Sequence, residues 1–349
     1  MPTDRDLRAR RALRLASGVA LSLALGFGLA LPIPFLAPIF ALLLLATSNR
    51  PLPLKAAPAL ALVIMLTTGC GLLLIPLLRH APPSGVLLVG LGLFVCFGYG
   101  LRGGNPLVAQ FLVIGLTMIS AAGAYDFGLA VTVIEALAKG IVLAVLVAAL
   151  AHWLFPEPAD APAPPARPKV AADESAWIAL RAALVVLPAY LLALIDPSSY
   201  MPLIMKSVSL GQQVCGASAR TAGRELLGST LLGGVLAMLF WSALSLFPHL
   251  WMFFLWMLLF GLLMARRLQR LVPTRQAPAF WLNTLVTLII LLGQSVQDSE
   301  AGKDVYTAFA VRMGLFILVT LYACGAVYLI DRRRFLRRHR QANRGAGPC

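Results

Sequence analysis

Long apolar runs recur along almost the whole chain, and short gaps between them hold most of its charge. A bilayer core about 30 Å thick needs roughly 20 apolar residues in a helix. Twelve stretches reach or approach that length. In the first part they are 12–31, 34–48, 57–78, 84–101, 106–124 and 129–154. In the second they are 177–195, 199–218, 225–247, 249–265, 279–296 and 306–330. The pattern predicts an all-α polytopic membrane protein with about 12 transmembrane helices. The stretches 34–48 and 199–218 are the least regular. Each carries an early proline (Pro38, Pro202), and 203–218 is unusually polar.

The gaps alternate in charge. Arg5, Arg8, Arg10, Arg11 and Arg14 open the chain, and the tail from Arg332 to Arg344 closes it. Counting from a cytoplasmic N-terminus, every second gap is basic, with Arg50, Lys55, Arg102, Arg167, Lys169, Arg220, Arg224, Arg266, Arg267, Arg270 and Arg275. The opposite gaps hold only Arg79 and Lys303 among basic residues, with the acids Asp126, Asp196, Asp298, Glu300 and Asp304. Basic residues concentrate on the cytoplasmic side of membrane proteins. The asymmetry therefore places both termini in the cytoplasm and favours an even number of spans.

Composition sharpens the class. Of 349 residues, 60% are hydrophobic and 12% charged, whereas soluble domains run near 45–50% and about 25%. The net charge of +15 does not point to nucleic acid, because the basic residues flank spans, where they set topology and meet anionic lipid. Arg10-Arg11 before an apolar run has the look of a signal peptide, but the run is too long for an h-region, and an uncleaved first helix is expected. The five cysteines are scattered and the four histidines sit near span ends. No metal-ligand spacing arises, so neither a metal nor a cofactor is expected. No phosphate-binding loop, GxSxG elbow or HExxH pair occurs.

Residues 155–175, rich in Pro, Ala and charge, read as an extended linker. They divide a first six-span block (1–154) from a second (176–331), and a basic tail (332–349) follows. The blocks echo each other. Ala12-Leu13-Arg14 opens one and Ala179-Leu180-Arg181 the other; Phe35 with Pro38 matches Tyr200 with Pro202; Lys139 and Arg312 hold matching places in the sixth spans. Six spans per block make these parallel repeats about an axis along the membrane normal. Small residues at close spacing, such as Gly18, Ser22 and Gly26 or Gly228, Gly233 and Gly234, suit helix contacts within lipid.

Charge at membrane depth is costly and marks candidate function. Glu135 and Lys139 stand four apart with the acid first, the favoured order for an intrahelical pair. That pair either neutralises itself or gives a proton carrier, Glu135, beside a cation, Lys139. Arg312 has no acid within one turn on its own helix. Its partner comes from elsewhere, with Glu135 one option, or from a ligand; snorkelling to the interface is the competing explanation. Lys206 opens a polar stretch with Ser207, Ser209, Gln212 and Gln213. This stretch either lines a pathway or is buried as polar glue between helices. Gln110, Asn283 and Gln294 rank below. The turn Gln297-Asp298-Ser299-Glu300 reads as a solvated external loop. The expected pathway residues are therefore Lys206, Ser209, Gln212, Gln213, Arg312 and Lys139, with proton coupling at Glu135. An apolar site with several cations suits an amphipathic anion.

The opening Ala12-Leu13-Arg14-Leu15-Ala16, and Leu31-Pro32-Ile33-Pro34-Phe35-Leu36-Ala37-Pro38 after it, resemble the first two spans of the fusaric acid resistance and aromatic acid exporter superfamily. Arg224-Glu225-Leu226-Leu227-Gly228-Ser229-Thr230 with Gly233, and Arg312 with Gly314, resemble its third and last spans. The resemblance implies a bacterial inner-membrane exporter driven by the proton gradient and paired with a periplasmic membrane-fusion adaptor. The chain departs from that pattern by lacking a sizeable cytoplasmic domain after each block, as in a compact branch of the superfamily. The expected function is thus efflux of small organic anions such as aromatic acids, without enzymatic activity and without direct ATP coupling, since no phosphate-binding loop occurs. An anion channel, a non-transporting scaffold subunit and a membrane-embedded enzyme acting on lipid remain as alternatives; the possible partners are the bilayer, the anion, the adaptor and a second copy.

Overall fold

Apolar helices in lipid must satisfy their own backbone hydrogen bonds, and every stretch read as a span is mostly helical over its described residues in the protein's computed structural model. The structure describes residues 4–47, 56–157, 172–214 and 219–345; for 56, 106, 172–173, 198, 212–214, 219–224 and 331–345 it describes the backbone alone. The first half comprises α1 (Asp4–Gly28), α2 (Leu36–Thr47), α3 (Ala56–Gly69), α4 (Ile75–His80), α5 (Pro82–Leu101), α6 (Pro106–Ile114), α7 (Ser120–Tyr125) and α8 (Phe127–Leu154). The second comprises α9 (Ala172–Ile195), α10 (Pro197–Val214), α11 (Ala219–Leu246), α12 (Leu250–Leu268), α13 (Pro278–Glu300) and α14 (Val305–Gly345).

Two rods are joined through irregular turns. A 3₁₀ segment, Cys70–Leu74, links α3 to α4, next to Pro76, which lacks an N–H and clashes with the carbonyl four residues back. A π segment, Gly115–Ile119, links α6 to α7. Here the two rods touch backbone to backbone: a Cβ on Gly115 would lie 2.6 Å from the Thr68 Cα.

Among the described residues, nine helical segments are long and apolar enough to cross a membrane. The chain is therefore a multi-pass helical membrane protein. Three helices stand outside that set. Arg11 and Arg14 lower the apolar content of α1, α2 is only 12 residues long, and α10 carries Lys206 with several serines and glutamines.

Packing crosses the midpoint of the chain. Helix α1 lies against α12, and α9 lies against α5. Each of the two main apolar cores accordingly mixes the halves. One unites Leu15, Val19 and Leu23 of α1 with Met257 of α12 and Leu288 of α13. The other unites Val186 and Tyr190 of α9 with Leu93 of α5 and Ile119. Within the halves, α2 packs on α8 as α10 does on α14, α3 on α8 as α11 on α14, and α3 on α6 as α11 on α13. Helix α13 is the most enclosed of the nine, with 78% of its apolar window buried against 28% for α5, α12 and α14.

Two expectations for the polar segments change. Residues 155–175 are not all extended linker, since α9 already begins at Ala172. Glu157 also turns back onto α1, where Arg11 pairs with it and Arg14 Nη1 donates to its Oε2 at 2.9 Å. Residues 158–171 lie outside the described residues. The sequence Gln297–Glu300 is not a solvated loop but the last turn of α13, and Asp298 is buried there. A neighbouring Arg312 satisfies its charge, which is what makes burial tolerable.

Candidate functional site: a buried lysine among neutral acceptors

Helix α10 is polar by sequence yet enclosed on most of its surface. Leu203, Ile204, Lys206, Ser207, Val208 and Leu210 are all buried, between α9, α13 and α14. It stays helical through Pro202, so the irregular backbone considered for this stretch does not occur over Pro197–Val214.

Lys206 is fully enclosed. Its ammonium donates to Asn283 Oδ1 at 3.1 Å and to Thr287 Oγ1 at 2.6 Å. Each acceptor passes its own hydrogen onward. Asn283 Nδ2 donates to Ser229 Oγ at 2.5 Å, and Ser229 Oγ donates to the Leu226 carbonyl at 3.0 Å. Thr287 Oγ1 donates to the Asn283 carbonyl at 2.7 Å. Every donor in the chain therefore points away from Lys206, and acceptor oxygens point toward it. These acceptors are neutral dipoles. An ammonium carries three donors, and these two bonds engage two of them. Among the described residues no carboxylate bonds Lys206; burying a charge without a counter-charge costs several kcal/mol, so the arrangement is ready for an anion to complete it.

Close helix approach builds this cradle. A Cβ on Gly233 would lie 2.8 Å from the Thr284 carbonyl oxygen, so α11 and α13 touch through their backbones. Ser229, one turn before Gly233 on α11, then reaches Asn283. One further turn back, Glu225 borders a polar cleft of about 460 Å³ with Arg270, Thr274, Arg275 and Gln276 at the basic end of the helices. Glu225, Ser229 and Gly233 share one face of α11, because residues four apart in a helix do so.

A second polar group lies at the other end of α13. Arg312 grips Asp298 with both terminal nitrogens, Nη2 donating to Oδ1 at 2.9 Å while Nη1 meets Oδ2. Their side chains are 16% and 6% exposed. Arg312 is thus paired across helices with Asp298, and Glu135 is not its partner. Glu135 instead bonds Lys139 one turn along α8 at 2.5 Å, and both side chains are 51% exposed. That pair stands on an open face of α8, away from the Lys206 cradle. Ser209 is half-buried, three residues along α10 from Lys206. The side chains of Gln212 and Gln213 lie outside the described residues.

Sequence reasoning singled out Lys206 and Arg312 and ranked Asn283 low. It passed over Thr287, named Ser229 only within the family resemblance, and read Asp298 as part of a solvated loop. A signal for them was present: Asn283, Thr287, Gln294 and Asp298 fall within about 60° of arc on one helix. Elsewhere, α9 of the second half meets α7 of the first through an uncharged contact, Tyr190 Oη and Ser120 Oγ, 3.1 Å apart.

Residues 11–151, from α1 almost to the end of α8, match the profile of a family described as protein of unknown function (DUF2955). No curated protein and no solved structure matches the chain.

Proposed function

We propose that this chain is a proton-coupled exporter of small amphipathic organic anions, aromatic acids among them. In this reading it sits in the inner membrane of a bacterium, with both termini cytoplasmic, and works with a periplasmic membrane-fusion adaptor. Lys206 is the observation that carries the reading. A lone ammonium among neutral acceptors, wrapped in apolar helices, is costly unless something negative visits it, and low dielectric strengthens its attraction for a carboxylate. Aromatic and aliphatic side chains around the cradle, Phe280 and Leu226 among them, suit the apolar part of such an anion. In the observed conformation the cradle is sealed. Loading therefore requires α10 or α11 to part from α13, and the polar cleft beside Glu225 marks the side from which the anion comes.

Twelve spans in two parallel repeats fit this function. The paired contacts α1–α12 and α9–α5 relate the halves by exchange, as do the matched contacts within each half. The resemblance of both halves to the fusaric acid resistance and aromatic acid exporter superfamily points the same way. The repeats are not equal in chemistry, however, since the charged cradle belongs to the second half alone. Lys139, half-exposed and already paired, contributes less to the pathway than Lys206.

The test is flux of radiolabelled benzoate in proteoliposomes with and without an imposed pH gradient. Wild type accumulates benzoate when the gradient is present, and Lys206→Met reduces accumulation at least tenfold while the protein still purifies as a monodisperse species. Undiminished accumulation by Lys206→Met overturns the assignment of the site. Equal flux with and without the gradient replaces the exporter by an anion channel. Adaptor pairing is read separately by co-purification from the native membrane.

A further inference from the structure

Among the described residues, Asp298 is the carboxylate in the buried set, and it stands on the same stripe of α13 as the lysine cradle. Asn283 and Thr287 hold Lys206 at one end of that stripe. Gln294 and Asp298 occupy the other, and Gln294 Nε2 donates to Gln297 Oε1 at 3.4 Å. Ile290 and Leu291, both buried, fill the interval. Thr287 and Asp298 are 11 residues apart, about 16 Å along the helix. The two ends therefore do not touch, and α13 itself is what connects them.

We propose that Asp298 binds the coupling proton and that Arg312 is the latch the proton releases. This rests on the export reading above and names the residue that reading requires. With Asp298 ionised, its bidentate ion pair with Arg312 ties α13 to α14 at the end of the helix pair opposite the basic cleft. A proton arriving on a carboxylate oxygen makes Asp298 a neutral acid. The proton comes from hydronium, whose O–H bond breaks to leave water as the Asp298 O–H bond forms, and the guanidinium keeps its charge but loses its counter-charge. The α13–α14 clamp loosens, and the same rod carries Asn283 and Thr287 away from Lys206. Glu135 does not fill this role: it is half-exposed and is answered by Lys139 on its own helix.

Few charged groups stand near Asp298. Arg312 faces it from α14. The last residue of α13, Glu300, and the turn after it, with Lys303 and Asp304, are all exposed, and the Lys303 N–H donates to the Asp298 carbonyl at 2.9 Å. At this end α10 offers Tyr200, His249 precedes α12, and α2 has no ionisable residue. The basic residues of α12 (Arg266, Arg267) and the acid of α11 (Glu225) lie at the opposite ends of those helices.

The experiment compares two modes of benzoate movement in proteoliposomes: exchange of internal for external benzoate, and accumulation driven by a pH gradient, with proton uptake followed by an internal pyranine signal. Asp298→Asn retains exchange within about threefold of wild type and loses both gradient-driven accumulation and the pyranine signal. The double variant Asp298→Asn/Arg312→Gln removes both charges, so no lone guanidinium is buried, and it covers the case in which the single variant fails to fold. It too exchanges without coupling. A pair that only braces the fold predicts the reverse, with the neutral double variant accumulating benzoate under a gradient, and that result overturns the proposal. Wild type that moves no benzoate in either mode instead removes the export reading on which the proposal rests.

Discussion

Lys206 and its acceptors are not equivalent in what they contribute to stability. Replacing a buried, unanswered charge by an apolar side chain of similar length removes its desolvation cost. Lys206→Met is therefore expected to melt at or above the wild-type temperature in detergent while losing anion binding. Asn283→Leu has the opposite sign. It leaves the ammonium with the Thr287 bond alone and takes the Asn283 donor from the Ser229 oxygen, and a lost bond to a charged group costs about 1.5–3 kcal/mol. A Lys206→Met protein less stable than Asn283→Leu would show that the ammonium is a structural keystone and not a binding group. Asp304 gives a smaller, pH-dependent case. Its side chain accepts from the Thr307 hydroxyl and from the Tyr306 N–H at the start of α14. The Thr307 bond, first, and the backbone bonds hold its carboxyl below the ordinary aspartate range. A depressed value adds stability above the ordinary pKa, and that stability is lost as pH falls through the lowered one. The difference in melting temperature between wild type and Asp304→Ala should therefore shrink as the solution is acidified, and a constant difference would count against the cap. At this scale the sequence was partly legible. A charge such as Lys206 in mid-span is conspicuous because apolar neighbours frame it. Ser229 and Thr287 are not, because hydroxyls in spans usually bond their own helix and only the crossing of α11 on α13 turns them inward. Asp298 was misread because its partner is 14 residues away, beyond any local window.

Among the helices, apolar length announced nearly every rod, and the proline and polar content of α10 changed neither its helicity nor its burial. What apolar length could not announce was the irregular geometry at Cys70–Leu74 and Gly115–Ile119. These turns answer to a neighbour: Gly115 lies on the Thr68 backbone, and no periodicity within α6 encodes that contact. The glycines then divide by surroundings. A side chain at Gly115 or Gly233 meets backbone atoms under 3 Å away, which cannot yield without moving a helix; overpacking of this kind costs about 1–3 kcal/mol or more. Gly314, on α14, has nothing within 4 Å of an added Cβ, and alanine is the better helix former by about 1 kcal/mol. Gly115→Leu and Gly233→Leu should both lower the melting temperature and the yield of monodisperse protein, whereas Gly314→Ala should leave them unchanged or higher. Gly233→Leu should further reduce benzoate exchange, because it separates Ser229 from Asn283, while Gly115→Leu loses stability without altering the affinity of the protein that survives. Equal behaviour of the three variants would mean that helix contact is looser than these distances require.

The exchange of helices between halves decides how the whole molecule holds together. If each half were self-contained, its core would close on itself. Here the apolar face of α1 is covered by α12, and that of α9 by α5, so each half exposes a helix-sized apolar groove when its partner is absent. Helix association in lipid depends on such shape-matched packing more than on hydrophobicity, and the grooves are specific to the missing helices. The chain passes from one half to the other through residues 158–171. Cutting the chain there and co-producing residues 1–164 and 165–349 from separate genes should therefore return a complex that co-purifies through a tag on either piece, with Arg11 and Arg14 still able to meet Glu157 because all three lie in the first piece. Each piece produced alone should be recovered poorly or as oligomers that pair like with like. The cradle gives this experiment a functional edge. Lys206, Asn283, Thr287 and Ser229 all belong to the second piece, but the helix that most deeply encloses them, α13, also rests on the first: a Cβ on Gly293 would lie 2.5 Å from the Phe35 Cβ. The second piece alone should consequently bind benzoate weakly or not at all, and addition of the first piece should restore binding that Lys206→Met abolishes. Full binding by the second piece in isolation would mean that the repeats are independent units, and the exchanged contacts of α1 and α9 would then be ornament to a site that needs neither.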